Sequence, residues 1–190
     1  MPNPYISGTG FYLPPRVVTN EELATYMDTT DEWIQERTGI KERRYVEPGE
    51  GPSDLAIPAT EQALDAAELE VKDIDFMIFA TSTPDFYAPG AGCLLQDKMG
   101  FNEIGALDIR VQCSGFLYGL SIAEQYIKTG VFKNILLIGA EVQSTAMDLT
   151  NEGRDTAVIF GDGAGAAIIS ATAEDRGILS THMHSEGKYL

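Results

Sequence analysis

Four short apolar runs, separated by segments with helical patterning, constrain the fold of this 190-residue chain more than any other feature. Each run is bounded by polar residues or glycine and is short, as buried strands are. The runs occupy residues 74–81, 104–111, 135–140 and 164–170. Because strands that alternate with helices form a largely parallel sheet covered by helices, we predict an α/β fold with a mixed, mainly parallel sheet and helices on both faces.

The helices are predicted from the spacing of apolar residues and from the residues that start and stop them. Acidic residues behind a polar cap indicate a helix start, and a glycine behind the last apolar residue indicates its end. A proline inside a helix removes a backbone donor, so Pro58 is expected to delay or kink its helix. The predicted helices are residues 21–27, a helix from Thr30 to a stop at Gly39, 53–67, 91–99 with a stop at Gly100, and 114–129 with a stop at Gly130.

Three further strands are predicted near the ends of the chain. The first is residues 5–13, which two prolines terminate. Residues 158–160 are expected to form a strand that is joined to the 164–170 strand through glycines, and residues 177–184 to form the last one; the closing pair is expected to be antiparallel. The glycine-rich segment 161–165 is not interpreted as a dinucleotide loop, since a strand follows it where that fingerprint requires a helix.

Charge and composition exclude several classes of partner. Lys and Arg number 13 and Asp and Glu 29, which gives a net charge of −16. Such a chain is expected to repel nucleic acid, whose binding depends on basic residues that neutralise phosphates, and to bind anionic membranes poorly. No segment has the ~20 apolar residues of a membrane span, and the first ten residues show no secretory pattern. We therefore expect a cytoplasmic protein with two free thiols and no structural metal site.

Cys113 carries the strongest chemical signal of the sequence. It lies where the predicted 104–111 strand ends and the 114–129 helix begins. A helix amino terminus presents unpaired N–H groups and positive potential, which stabilise a thiolate. The alternative is a buried cysteine that acts as a small apolar residue. For Cys93, inside the predicted 91–99 helix, we expect that core role.

Five segments of the chain, in their order and spacing, resemble one family, β-ketoacyl-acyl carrier protein synthase III, which starts fatty-acid synthesis. The first contains the only tryptophan and reads Trp-Ile-Gln-Glu-Arg-Thr-Gly-Ile-Lys-Glu-Arg-Arg. The resemblance covers essentially the whole chain. The five segments are residues 33–44, 81–85, 113–116, 159–167 and 182–189.

The resemblance implies a mechanism and an architecture. Cys113 would take the acyl group from a short acyl-coenzyme A and then pass it to a carbanion formed from malonyl-acyl carrier protein.

 The first substrate that the resemblance implies is acetyl-coenzyme A or a close relative, which serves as a substrate and not as a cofactor. The family's thiolase-like fold is a duplicated five-layer αβαβα architecture, of which residues 1–190 would form the N-terminal half domain. The complementary C-terminal half would supply a histidine, an asparagine and an oxyanion-hole glycine amide. Whether the chain is a fragment, a cleaved piece or part of a split enzyme stays open.

The resemblance also implies binding residues for coenzyme A. Trp33 would stack on adenine and Thr29 would bond near it, while Arg37 would meet the pyrophosphate or nucleotide and Arg154 would hold adenine against the tryptophan. A solvated helix end is the alternative for the basic residues 37–44, and a core role is the alternative for the tryptophan. The docking patch for the acyl carrier protein would be the same basic segment or would lie in the C-terminal half.

Three aromatic residues resemble the family's acyl-pocket lining: Phe160 and the neighbours Phe86 and Tyr87. One such aromatic in the family reaches across a homodimer interface, and which of the neighbours corresponds to it stays open. Ordinary core packing is the alternative for all three residues. His182 and His184 alternate along the predicted 177–184 strand, but two histidines are weak evidence for a metal, and none is expected.

Two other functions share features of this sequence. A starter-unit acyltransferase of polyketide or quinolone synthesis would use the same cysteine chemistry. A non-catalytic dimerisation or binding half would keep the fold and lack an activated thiol.

Overall fold

The computed structural model describes residues 1–189 and contains a five-stranded sheet and a two-stranded sheet. The strands are β1 (Asn3–Tyr12), β2 (Arg16–Thr19), β3 (Glu42–Tyr45), β4 (Phe76–Ala80), β5 (Gly105–Ile109), β6 (Asn134–Glu141) and β7 (Gly163–Thr172). The helices are α1 (Asn20–Leu23), α2 (Asp31–Thr38), α3 (Pro52–Ala67), α4 (Ala91–Met99), α5 (Gly115–Lys128) and α6 (Arg154–Ala157). Single 3₁₀ turns lie at Val71–Asp73, Gln112–Ser114 and Gly187–Tyr189.

The large sheet has the strand order β1-β7-β6-β4-β5. Strand β4 is parallel to both β5 and β6, whereas β7 is antiparallel to both β6 and β1. Four strands therefore run in one direction and β7 runs against them. The expected mixed, mainly parallel sheet is confirmed, and the antiparallel strand is the one predicted at 164–170.

The two faces of the large sheet are covered by different helices. Met77 and Phe79 of β4 belong to the apolar cluster that includes α3 and α4. Ile78, between them, belongs to the cluster that includes α5. Since successive side chains of a strand point to opposite faces, helices pack on both sides of the sheet, as expected. Each large side chain buried there contributes about 1.5–3 kcal/mol.

Helix α3 packs against β1 with almost no space between the two backbones. A Cβ at Gly8 would collide with the carbonyl oxygen of Ala63, and one at Gly10 with that of Ala59. The glycines of β1 therefore allow the helix to approach the strand closely. Pro58 lies inside α3 without ending the helix.

A second, smaller cluster lies beside the large sheet and carries α2. It is built on the antiparallel pair β2–β3, with α1, α2 and α6 around it. Its buried residues include Leu23, Ile34 and Val158, and Trp33 packs against it. The sequence did not predict β2 and β3, because neither four-residue strand shows an apolar run.

Several expectations were wrong. Residues 158–160 are not a strand: Val158 and Ile159 close the turn behind α6, their N–H groups bonding the Arg154 and Thr156 carbonyls. Residues 177–184 are also not a strand, since they run in irregular conformation. The N–H of Ile178 bonds the Pro4 carbonyl. A left-handed Gly177 (φ 129°) precedes that bond and is incompatible with a regular ladder.

Three side-chain expectations also need correction. Cys93 is exposed on α4 and not in the core, because its position on the helix faces away from the sheet. Arg43 is 7% exposed and belongs to β3, so the segment 37–44 is not one solvated helix end. His182 and His184 do not share a strand, and His182 bonds the Ser180 hydroxyl at 3.1 Å.

Among residues 1–189 no group of three or more His, Cys, Asp or Glu side chains is arranged to hold a metal ion. Within the same residues no helix has both the length and the apolar character needed to cross a membrane.

Candidate active site

Cys113 lies at the junction of β5 and α5. The chain leaves β5 at Ile109, passes through the Gln112–Ser114 turn and enters α5 directly at Gly115. The cysteine is a free, exposed thiol. Its sulfur thus stands at the amino-terminal end of a 14-residue helix, where unpaired N–H groups and the helix dipole favour an anion.

The turn that presents Cys113 has an unusual backbone. Gln112, directly before it, has a φ of 43°, a left-handed conformation that costs a residue with a side chain roughly 1–2 kcal/mol. The Ser114 hydroxyl donates to the Val111 carbonyl at 2.9 Å and closes the turn. At Gly115, a Cβ would lie 3.0 Å from the Cβ of Ala80, so the glycine lets the start of α5 sit on the end of β4. Cys113 is held on a strained, tightly packed bend, as functional residues often are.

A cavity of about 310 Å³ opens beside Cys113. It forms where the carboxyl ends of the parallel strands β4 and β6 meet, the usual position of a ligand site in such sheets. The segment that precedes β7 closes one wall. Residues lining it with Cys113 include Ser82, Gln112, Phe116, Glu141, Gln143 and Phe160.

Glu141 organises the wall of this cavity. Its carboxylate accepts hydrogen bonds from the Ser82 N–H and hydroxyl, at 2.8 and 2.9 Å, and from the Thr83 hydroxyl at 2.6 Å. The Gln143 amide donates to it at 3.3 Å. One carboxylate at the end of β6 therefore fixes the turn that follows β4. The sequence signal for Glu141 was its position directly behind an apolar run, but its partners lie 58 and 59 residues away.

Of the three candidate acyl-pocket aromatics, only Phe160 lies at the cavity of Cys113. Phe86 and Tyr87 are 59% and 94% exposed. They line a separate pocket of about 180 Å³, together with Ile109 and Arg110 at the end of β5. The structure therefore brings Phe160 to the cysteine and leaves the other two beside the edge strand.

The candidate coenzyme A residues gather on the smaller cluster. The guanidinium carbons of Arg37 and Arg154 lie 4.3 and 4.7 Å from the centre of the Trp33 ring, well within cation–π distance. Arg154 also donates to the Asp28 carbonyl at 3.1 Å, which ties α6 to the chain before α2. The Thr29 hydroxyl is buried and has no hydrogen-bond partner among residues 1–189. All four candidates thus lie on or near one surface.

The segment 158–161 connects this surface to the cavity. Val158 and Ile159 line a pocket of about 240 Å³ with Trp33 and Arg37. Phe160 and Gly161, the next two residues, line the cavity of Cys113. Consecutive residues of one segment therefore face both candidate sites.

Arg43 is the feature of this region that the sequence pattern did not reveal. Its guanidinium donates to the carbonyls of Val18 and Val158 at 3.2 and 3.1 Å and to the Asn20 side chain at 2.8 Å. Burial lowers the pKa of Arg43. The Asn20 amide in turn donates to Asp31 at 2.8 Å, and this bond, followed by one from Gln35, lowers the pKa of Asp31.

Comparisons with known proteins agree with this geometry. Residues 107–187 match the family model of 3-oxoacyl-[acyl-carrier-protein] synthase III. The β-ketoacyl-[acyl-carrier-protein] synthase III of Xylella fastidiosa (strain Temecula1) is 48% identical over 182 residues, which cover 96% of this chain and 55% of that protein. The protein of the same name from Caldanaerobacter subterraneus is 46% identical over 188 residues, covering 97% of this chain and 56% of the relative.

Solved structures show the same likeness in the fold. The 3-oxoacyl-[acyl-carrier-protein] synthase III of Aquifex aeolicus superposes with a TM-score of 0.93 at 44% identity, covering 98% of this chain and 59% of that one. The priming β-ketosynthase of the R1128 polyketide pathway has a TM-score of 0.86 at 32% identity, covering 90% and 51%.

The chain thus has the thiolase-like α/β fold of these proteins and spans about half the length of the curated relatives it matches. The aligned regions cover nearly all of its residues. On these grounds the chain belongs to the β-ketoacyl-[acyl-carrier-protein] synthase III family.

Proposed function

We propose that this chain carries the nucleophile and the coenzyme A surface of a Claisen-condensing acyltransferase that initiates fatty-acid synthesis. The names of its relatives support this activity, and the observation that carries it is the exposed Cys113 at the start of α5, beside a cavity. We further propose that the chain is the N-terminal half of a duplicated thiolase-like architecture. Its complementary half would supply the histidine and asparagine of the second step.

In the first step, the Cys113 thiolate attacks the thioester carbonyl of a short acyl-coenzyme A, such as acetyl-coenzyme A. A tetrahedral oxyanion forms, the carbon–sulfur bond to coenzyme A breaks, and coenzyme A leaves as its thiolate, which takes up a proton. The acyl group is then held on Cys113 as a thioester. The amino-terminal N–H groups of α5 support this step, because they stabilise the attacking thiolate and lie near the developing oxyanion.

In the second step, malonyl-acyl carrier protein loses carbon dioxide, and its electron pair becomes a carbanion at the α-carbon. The carbanion attacks the acyl carbonyl on Cys113, the carbon–sulfur bond breaks, and β-ketoacyl-acyl carrier protein leaves while the thiolate is regenerated. Covalent catalysis of this kind divides one difficult reaction into two easier ones.

Coenzyme A would bind with its adenine at Trp33. The flanking guanidinium groups of Arg37 and Arg154 support this, since planar cations stack on bases and bind phosphates. Thr29 would bond near the adenine, and its unpartnered hydroxyl, which is buried, would have to turn toward the ligand to do so. From that surface the pantetheine arm would follow segment 158–161 to the cavity of Cys113.

The acyl group would occupy the cavity beside Phe160, and Phe86 or Tyr87 would act in a homodimer. Both aromatics are exposed beside β5, an edge strand of the large sheet, where a second copy can approach. In that arrangement an aromatic of one protomer would reach the acyl pocket of its partner. The acyl carrier protein, which is acidic, would dock on the basic residues that remain accessible in segment 37–44: Arg37, Lys41 and Arg44.

The remaining expectations belong to the same proposal. The enzyme would act in the cytoplasm, use coenzyme A thioesters as substrates without a resident cofactor, and bind no nucleic acid, in keeping with its net charge of −16. A second candidate, a priming acyltransferase of polyketide synthesis, is favoured by the similarity to the R1128 enzyme. Comparing fatty-acid and polyketide carrier proteins as acceptors distinguishes the two.

The proposal is tested by incubating the protein, with its complementary half present, with acetyl-coenzyme A and mapping adducts by peptide mass spectrometry. The acetyl group is expected on Cys113, and Cys93, the other exposed thiol, serves as an internal control. Cys113→Ser should abolish condensation, whereas Cys93→Ser should leave it intact. Condensation that survives in Cys113→Ser, or acetylation equal at both cysteines, would contradict the proposal.

A further inference from the structure

Arg43 differs from every basic residue around it in being buried. It is 7% exposed, whereas the side chains of Arg37 and Arg16 are 51% and 46% exposed. Within residues 1–189 its hydrogen-bond partners are all neutral, two carbonyl oxygens and one amide oxygen. Burying a cation among neutral acceptors is expensive, and Glu22 attracts Arg43 electrostatically without hydrogen-bonding it. The presence of this cation in the cluster calls for a role that a neutral residue would not fulfil.

The partners of Arg43 lie in two segments that are distant in sequence. Val18 of β2 and Asn20 at the start of α1 are two residues apart, and Val158 immediately follows α6. One guanidinium on β3 therefore connects the β2–α1 junction to the turn behind α6. The planar guanidinium donates to these acceptors from two nitrogens at fixed angles, whereas a lysine ammonium has a single nitrogen.

Asn20 extends this connection to α2. It is fully buried, and its amide donates to the Asp31 carboxylate at 2.8 Å and to the Ile40 carbonyl at 2.7 Å. Asp31 is the first residue of α2 and Ile40 follows its end. The Asn20 side chain thus bonds both ends of α2, the helix that carries Trp33 and Arg37. Arg43 in turn donates to the Asn20 amide oxygen.

The hydrogen bond from Arg43 to the Val158 carbonyl connects it to the other side of the Trp33 surface, where Arg154 lies. Val158 ends the turn that begins at Arg154. Arg43 at one end and the bond from Arg154 to the Asp28 carbonyl at the other therefore fix this turn relative to α2. The distance of 4.7 Å from the Trp33 ring to the Arg154 guanidinium depends on this relative placement, whereas Arg37 lies one turn along the same helix as Trp33.

We propose that Arg43 is a positioning residue of the coenzyme A site, which sets the placement of Trp33 and Arg37 relative to Arg154 through Asn20 and the Val158 carbonyl. The inference rests on the proposed function, since it assumes that this surface binds the nucleotide. Arg43 itself touches no ligand in this role. Because small displacements of positioning groups cost large factors, its loss is expected to weaken coenzyme A binding by about tenfold or more.

The test uses the fluorescence of Trp33, the only tryptophan of the chain. Wild-type protein, Arg43→Met and Arg43→Lys are titrated with coenzyme A, and the quenching of Trp33 gives the affinity. Arg16→Met is the matched control, because Arg16 lies on β2 of the same small sheet and is paired with Glu22 at 2.8 Å. The rate of Cys113 alkylation by iodoacetamide and the melting temperature are measured on each variant.

We expect both Arg43 variants to bind coenzyme A more weakly, with Arg43→Met the weaker, while Cys113 alkylation stays within about twofold of wild type. Arg16→Met should bind like wild type. Unchanged affinity in the folded Arg43 variants would overturn the inference. A parallel loss of affinity, Cys113 alkylation and melting temperature would also overturn it, since that indicates a purely structural role.

Two further outcomes are decisive. If Arg43→Met does not fold, Arg43→Lys, which keeps the charge and most of the volume, decides the question by the same readouts. If wild-type protein itself shows no Trp33 quenching, the proposed nucleotide surface is refuted, and the positioning role falls with it. Failure of the proposed function is thereby distinguished from failure of the inference alone.

Discussion

Replacing Asp162 by asparagine should destabilise the protein strongly. Asp162 is 5% exposed and precedes β7. Its carboxylate accepts the N–H groups of Val46 and Ser144, both at 2.8 Å, and the Ser144 hydroxyl at 2.5 Å. It therefore joins the chain after β3 and the chain after β6 to the start of β7, next to Phe160 and the cavity.

The magnitude follows from counting donors. An asparagine presents one oxygen and one NH₂ group, so at least one of the two backbone N–H groups faces another donor and stays buried without a partner. An unpaired buried donor costs about 1–3 kcal/mol, and the remaining bond loses the strengthening that a charged acceptor provides, about 1 kcal/mol more. We therefore expect Asp162→Asn to lower the free energy of unfolding by about 2–4 kcal/mol.

Urea unfolding followed by circular dichroism measures this loss. With a denaturant slope of about 2 kcal/mol per molar, the midpoint should fall by about 1–2 M. Asp97→Asn is the matched control: Asp97 is exposed on α4, and its replacement removes the same single charge. The control should stay within about 0.5 kcal/mol of wild type. Equal midpoints for the two variants would refute the account of Asp162.

Three other predictions concern packing, pH and salt. Gly10→Ala should destabilise the protein by about 1–3 kcal/mol in urea unfolding, because the new Cβ meets the Ala59 carbonyl. Gly165→Ala is the control and should not destabilise it, because nothing lies within 4 Å of the new Cβ. Equal effects of the two substitutions would contradict the close approach of α3 to β1. Burial opposes ionisation of Asp54, but the bonds from Lys98 and the Gly51 N–H outweigh it and lower the pKa of Asp54 below its ordinary 3.8. The stability that the Asp54–Lys98 pair adds is present above pH 3.8 and is lost as the pH falls through the lower folded-state pKa of Asp54. The difference in unfolding free energy between wild type and Lys98→Met should therefore shrink below about pH 4. A difference that stays constant with pH would contradict this prediction. Since a net charge of −16 repels itself, the melting temperature should rise from about 0.1 to 1 M NaCl, where the Debye length falls from about 10 to 3 Å, and a falling melting temperature would oppose this reading.

The main sheet and its helices could be predicted from the sequence because their signals are local. Gly39, Gly100 and Gly130 were expected to stop helices, and each has a φ near +70° behind the last helical turn. The apolar runs of β4 and β6 were visible for a similar reason. Strands buried on both faces need apolar residues at every position.

The errors arise where structure depends on distant partners. Residues 177–184 contain a plausible strand pattern, but a strand forms only where it can pair with a neighbouring strand. Leu179 remains 90% exposed. Arg43 looked like part of a solvated basic segment because its acceptors lie on β2, α1 and the turn after α6. Cys93 looked buried because apolar neighbours surround it in sequence, whereas the helix turns it outward.

Part of the candidate site could also be predicted from local sequence patterns, and part could not. The position of Cys113 at a helix start was predictable from the change of pattern along the chain. The left-handed Gln112 had no sequence signal, since glycine and not glutamine is the residue typical of that conformation. Gln143 and Glu141 reach the cavity because β6 lies beside β4, and no local pattern reveals that adjacency.

The central claim is that Cys113, an exposed thiol at the start of α5, is the reactive nucleophile of this chain. Competitive alkylation tests it within a single molecule, since limiting iodoacetamide near neutral pH reacts first with the more reactive of two exposed thiols, Cys113 and Cys93 inside α4. We predict that peptide mass spectrometry will find Cys113 modified at least about tenfold faster than Cys93. Equal rates at the two cysteines, both matching a small free thiol, would contradict the account.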